Sequence, residues 1–267
     1  MIPQQFRALV FKYYKAHGRH DLPWRSTHDT YRILVSEVML QQTQVERVRA
    51  YYTAWMKKYP TAKALAGAPL GEVLKSWQGL GYNRRAKALH ETAKAVTELG
   101  KFPKRRAGLE ALPGIGPYTA GAVMAFAYNV DVIFIETNIR TAVTHHFYPK
   151  KEKVDDKLLL KILQDALPKG KSREWYSALM DYGAHLKQSG VRINAKAKGY
   201  TKQSKFAGSD REARGAILKE LAKGTATQKR LLGLLGDDRT DQLEQALGKL
   251  QKEGMVTRTR SNFALPT

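Results

Sequence analysis

The sequence predicts an all-α protein that ends in a small module of different texture. Apolar residues recur three or four apart along nearly every segment up to about His185, the spacing that lines them up on one face of a helix. Strand-like alternation is nearly absent before that point, with "VDVIFIE" the one short candidate. A third observation bears on partners. The 267 residues hold 46 Lys and Arg against 24 Asp and Glu, a formal charge of +22. A chain so positive repels itself unless a polyanion answers it.

The elements follow in order. "MIPQQFRALVFKYYKAHGRH" reads as an amphipathic helix, not a cleavable leader. Helical patterns continue in "YRILVSEVML", "VERVRAYYTAWM", "EVLKSWQGL", "AKALHETAKAV", "YTAGAVMAFAY" and "LLLKILQDAL", punctuated by Gly79, Gly81, Pro103, Pro113, Gly114, Gly116 and Pro168. No run approaches the ~20 apolar residues of a membrane span, so a cytoplasmic protein without a membrane partner is expected. Cysteine is absent, which excludes disulfides, thiolate metal sites and cysteine nucleophiles.

From Leu186 to Gly208 there are six Lys or Arg and no acid, a basic loop or linker. Beyond it, "REARGAILKELAKG", "TQKRLLGLLG" and "TDQLEQALGKLQKEG" give three short helices, and "MVTRTRSNFALP" suits a hairpin turning at Ser261-Asn262. Three helices and a basic hairpin make a winged helix-turn-helix. A DNA-binding use puts Thr240–Glu253 in the major groove and Arg258 and Arg260 on the backbone. With 11 basic against 8 acidic residues from Gly208 onward, a packing or protein-interaction role stays open.

The strongest local signal is "LEALPGIGPYTAGAVMAF". A helix ends near Leu112-Pro113, Gly114 and Gly116 frame a tight turn, and Pro117 sits where a first helical residue can lack its N–H. Free N–H groups of Gly114, Gly116 and the turn through Thr119 would then meet a phosphate without reading sequence. Glu37 is the second signal. Its helical neighbours are Ile33, Leu34, Leu40 and Gln41, so it shares an apolar stripe, where desolvation raises its pKa towards neutrality. A side chain reaching solvent, or pairing with Arg25 or Arg32, is the alternative. Thr43 and Glu46 have capping-box spacing, placing Gln41-Gln42 at a corner. Glu136 precedes a helix capped by Thr137 or Asn138, where the positive helix end keeps a carboxylate ionised. His17, His20, His145 and His146 lack a partnered constellation and read as structural or surface residues.

"LPWR", "SEVMLQQTQV", "GLGY", "FP", "LPGIGPYTAGAV" and "LMDYGA", spread from Leu22 to Ala184, occur in an order and at spacings that resemble adenine DNA glycosylases of the MutY type, within the helix-hairpin-helix superfamily. The resemblance implies two helical subdomains around a cleft. Residues 1–207 form the glycosylase domain, with a six-helix barrel over about 26–134 and a second subdomain from 1–25 plus 135–207. Residues 208–267 form the winged-helix-like domain.

The implied activity is excision of adenine mispaired with 8-oxoguanine or G from duplex DNA, by base flipping and hydrolysis of the N-glycosidic bond. Glu37 is then the acid that protonates the purine at N7, and Glu136 the carboxylate facing the oxocarbenium-like sugar. Tyr118 stands where strand-cutting relatives carry Lys, which implies a monofunctional enzyme. Trp24, Arg25 and Leu40 are implied base-pocket residues, and Gln42 and Tyr82 a wedge beside the opposing base. The partner is double-stranded DNA with a mismatch or damaged base, the protein a nucleoid-associated prokaryotic monomer.

Three features depart from the family pattern. Asn83 replaces a usual second Tyr, and Glu136 a usual Asp. The four cysteines of a [4Fe–4S] cluster are missing, so no cofactor is expected, and phosphate contacts would pass to Lys187, Arg192, Lys196, Lys198, Lys202 and Lys205. The winged-helix-like segment is expected to stand in place of the usual 8-oxoguanine recognition module. These departures leave two further readings: a glycosylase for T or U opposite G or for deaminated adenine, and a non-catalytic mismatch-binding paralogue.

Overall fold

The computed structural model describes residues 1–193 and 205–267. Lys196, Lys198 and Lys202 lie outside the described residues. The helices are α1 (Pro3–His17), α2 (Thr30–Leu40), α3 (Val45–Lys58), α4 (Ala62–Ala66), α5 (Leu70–Ser76), α6 (Arg84–Glu98) and α7 (Arg106–Glu110). They continue as α8 (Pro117–Tyr128), α9 (Thr137–Phe147), α10 (Asp156–Ala166), α11 (Ser172–Gln188), α12 (Asp210–Leu221), α13 (Gln228–Leu235) and α14 (Thr240–Lys252). Strands β1 (Ala226–Thr227), β2 (Thr257–Thr259) and β3 (Asn262–Ala264) form one antiparallel sheet in the order β1-β3-β2. "VDVIFIE" forms no strand.

The chain divides into two compact units. The first comprises residues 1–37, 102–111 and 115–202. Its core gathers Phe6 and Val10 of α1, Phe134, Ile139 of α9, and Trp175 and Tyr176 of α11. Phe134 stacks on Tyr176 with ring centroids 3.9 Å apart. Gly183 lets α9 and α11 approach closely, since a Cβ there would lie 2.0 Å from the Asn138 carbonyl oxygen. The same helix face brings Lys187, one turn further along, to Asn138.

The second unit comprises residues 38–101, 112–114 and 203–267. The C-terminal segment therefore packs with α3–α6. The Gly71 N–H donates to the Pro266 carbonyl at 2.9 Å, and Glu253 at the end of α14 pairs with both Arg84 and Arg214. The hairpin forms with Arg258 opposite Phe263. Thr43 and Glu46 do not make the expected capping box. α3 starts at Val45 without a side-chain cap, because the Thr43 hydroxyl turns to the Gln41 and Leu80 carbonyls.

Candidate active site

In the first unit, α2 and α8 bring Glu37 and Tyr118 together. Glu37 is 4 % exposed, and the Tyr118 hydroxyl donates to its Oε2 at 2.7 Å. Tyr118 is the second residue of α8, just after Pro117, which starts the helix, and its ring meets Phe134 edge-on. Burial pushes the Glu37 pKa up to about 7, with the Glu136 charge raising it and the Tyr118 hydrogen bond and Arg25 opposing. A carboxyl at that value is half protonated near neutral pH, which suits proton donation.

Arg25, one alternative partner for Glu37, closes on Asp181 instead, at 2.6 Å and 2.8 Å. Asp181 also takes the Arg19 backbone N–H at 2.8 Å. Burial alone would raise its pKa, but Arg25 and Arg19 outweigh this and hold it low. Trp24 is buried beside them. Asp181 lies in the "LMDYGA" motif but was not read as a site residue. Its sequence signal is an acid within the short apolar run from Ala178 to Ala184 of a helix that is charged at both ends, a weaker mark than that of Glu37.

Glu136, and not the expected Thr137 or Asn138, caps α9, and it does so with its own side chain. Its Oε1 accepts from the Asn138 N–H at 2.7 Å and the Ile139 N–H at 2.8 Å. The expectation that the helix end alone sets its charge needs correction. Burial raises the Glu136 pKa, while the two N–H bonds, Lys187 and Arg140 pull the other way, and the net direction is up. Lys187, expected to reach DNA phosphate, turns inward and donates to Asn138 Oδ1 at 2.6 Å. It is half-buried, and that burial lowers its pKa. Arg192 donates to the Lys187 carbonyl.

Of the hairpin residues, Gly116 and Pro117 are exposed at the start of α8, whereas Thr119 is buried and its side chain faces inward. Gly114, in the second unit, is exposed with φ of 71°, and a Cβ there would sit 2.4 Å from Ala88 Cβ. Only glycine fits that turn.

The second unit also carries Leu40, half-buried at the end of α2, and the two wedge candidates. Gln42 and Tyr82 have φ of 55° and 48°, a left-handed conformation that non-glycine residues rarely adopt and that costs about 1–3 kcal/mol each. Both are exposed, Tyr82 at 38 %. Arg85 holds their loops. One of its terminal nitrogens donates to the Val38, Met39 and Gln41 carbonyls at 2.6–3.1 Å. The other donates to the Leu80 and Gly81 carbonyls at 3.0 Å and 3.1 Å. Its guanidinium stacks over Trp77 and Tyr82, and burial lowers its pKa to about 10. Sequence reading missed Arg85, because a basic residue following "GLGYN" carries no mark of the carbonyls it will meet.

The chain has no cysteine, so it lacks the ligands for a cysteine-held cluster. Among the described residues, no group of three or more His, Asp or Glu could hold a metal. No described helix is long and apolar enough to cross a membrane.

The sequence profile of the HhH-GPD superfamily of base excision DNA repair proteins matches residues 35–169. An adenine DNA glycosylase of Mycolicibacterium smegmatis is 35 % identical over 93 % of this chain and 92 % of its own length. One from Mycobacterium tuberculosis is 34 % identical over 97 % and 92 %. Among solved structures, a thermostable thymine-DNA glycosylase superposes with a TM-score of 0.63 at 29 % identity, covering 68 % of this chain and 86 % of that one.

Proposed function

The chain belongs to the HhH-GPD superfamily of base excision DNA repair proteins, and we propose that it is a monofunctional DNA glycosylase that removes adenine mispaired with 8-oxoguanine or G from duplex DNA. The observation that carries this reading is the buried Glu37 carboxyl, with a pKa of about 7 and the Tyr118 hydroxyl 2.7 Å away.

Glu37 gives its proton to N7 of the purine. The C1′–N9 bond then breaks with its electron pair passing to the base, and the sugar becomes oxocarbenium-like. Glu136, whose anion has two N–H donors and two nearby cations to oppose its burial, offsets that positive charge as a carboxylate until water adds at C1′ and releases a proton. Tyr118 carries no amine, so the reaction stops at an abasic site. In the first unit, Trp24 and Arg25 are assigned to base recognition, with Asp181 fixing Arg25. In the second unit, Gln42 and Tyr82 are assigned to the stack left empty by an extruded base. Exposed Gly114 and Gly116 are assigned to phosphate. The protein acts as a monomer on mismatched duplex, and its C-terminal segment from residue 208 is a module of winged-helix type.

A second reading rests on the 29 % identity to a thymine-DNA glycosylase: release of T or U opposite G. Single-turnover assays separate the two. Duplexes carrying A opposite 8-oxoG, G or C, and T or U opposite G, are incubated and then treated with alkali to reveal abasic sites. Adenine release that needs alkali for strand breakage supports the first reading. Release of T or U alone moves the assignment to the second.

A further inference from the structure

Among the described residues, the exposed aromatic side chains are Tyr82 and Phe206, at 38 % and 62 % exposure. One residue stands against both. The Arg211 guanidinium, at the start of α12, donates to the Tyr82 hydroxyl at 3.2 Å and lies 6.0 Å from the Phe206 ring centroid. Tyr82 belongs to the loop before α6, and Arg211 and Phe206 to the C-terminal segment. The same loop is tied to that segment by Arg84, the first residue of α6, which shares Glu253 with Arg214. Left-handed at its backbone, Tyr82 thus has guanidinium groups at two places, Arg85 on its ring and Arg211 at its hydroxyl.

A row of two exposed aromatic rings with a half-buried guanidinium between them is a surface that unstacked bases can lie upon. Each base has a π-face for the rings, and the cation answers the phosphates. A leucine or lysine surface would offer only one of those two terms.

We propose that Arg211 is a positioning residue for Tyr82, and that Tyr82, Arg211 and Phe206 form one platform for the DNA strand opposite the excised base. The inference rests on the wedge role given above to Tyr82. It assigns opposite-strand discrimination to the C-terminal segment through a residue that acts on the body of the same unit.

The test uses the full chain carrying Glu37→Gln, so that duplex is bound without turnover, and reads its affinity for A:8-oxoG duplex against fully paired duplex. Arg211→Ala and Tyr82→Phe each reduce that preference about three- to tenfold, the value of one hydrogen bond. Their combination is no worse than either alone. Phe206→Ala, at a position 62 % exposed, weakens mismatch binding by about fivefold or more. With 2-aminopurine as the opposing base, Arg211→Ala changes the fluorescence of the complex, which a loss of folded protein alone would not mimic at saturating enzyme. Additive effects of Arg211→Ala and Tyr82→Phe, unchanged preference in Arg211→Ala, or no mismatch preference in the Glu37→Gln chain would each overturn the proposal. The wild-type excision assay is independent. If no base is released while the preference depends on Arg211, the glycosylase reading falls and this one stands.

Discussion

Glu37 and Tyr82 are both unusual residues held by hydrogen bonds, yet the two regions they mark work by opposite physics. Around Glu37 the unusual quantity is a proton affinity. A carboxyl is kept from water, given one hydroxyl donor, and set near a second acid. Around Tyr82 the unusual quantity is a shape. Two exposed side chains sit on left-handed backbone, and one arginine, Arg85, fixes their loops through carbonyl oxygens. The first region stores its cost in desolvation and the second in backbone strain. Each is stabilised by groups far away in the sequence.

Removing the proton should give the largest effect. Glu37→Gln keeps the shape and an acceptor for Tyr118 but has no acid, and base release is expected to fall about a thousandfold or more, with duplex binding retained. Chemical quench of single-turnover reactions at pH 7 measures it. A loss below tenfold would mean that the buried carboxyl is not the proton donor.

Breaking the shape comes next. Arg85→Leu leaves five carbonyl groups without their cationic donor. A destabilisation of about 3 kcal/mol or more is expected, read by denaturant unfolding. Arg85→Lys should recover little of it, since a single ammonium cannot span carbonyls on two loops. Full recovery by Lys would show that charge alone, not the fork, holds Gln42 and Tyr82.

These contrasts explain what the sequence disclosed. Glu37 was legible because a helix repeats every 3.6 residues, so an acid among Ile33, Leu34 and Leu40 announces its own burial. The hairpin at Gly114 and Gly116 was legible because backbone geometry demands those residue types locally. The Tyr118 hydrogen bond to Glu37 spans 81 positions, and the Arg211 contact to Tyr82 spans 129. No periodicity encodes either. The capping box at Thr43 failed for the same reason, since its hydroxyl found carbonyls that the tertiary fold supplied. Glu136 was placed correctly at its helix end, but the opposing effect of burial depends on neighbours from other elements.

Stability should also report the desolvated acid. The Glu37 pKa rises from 4.5 to about 7 on folding, so the folded state prefers the proton. Its contribution is fully present below pH 4.5 and is lost as pH climbs through 7, leaving a penalty of about 3 kcal/mol at pH 8. Glu37→Gln, inactive as it is, should therefore melt several degrees higher than wild type at pH 8 and lose most of that advantage at pH 4.5. Equal gains at both pH values would trace the effect to packing instead.

The smallest effect sharpens the comparison most. Tyr118→Phe keeps the ring against Phe134 and deletes one donor to Glu37 Oε2. That hydrogen bond favours the anion, so its loss moves the Glu37 pKa further up. The alkaline limb of the pH–rate profile, where Glu37 loses its proton, should shift to higher pH, with a rate change of about tenfold or less at neutrality. A shift downward would mean that Tyr118 bonds the protonated acid in the working enzyme. Arg211→Ala, which touches only the shape of the other region, should leave that limb where it is. A pH profile then separates the two regions even where their rates look alike.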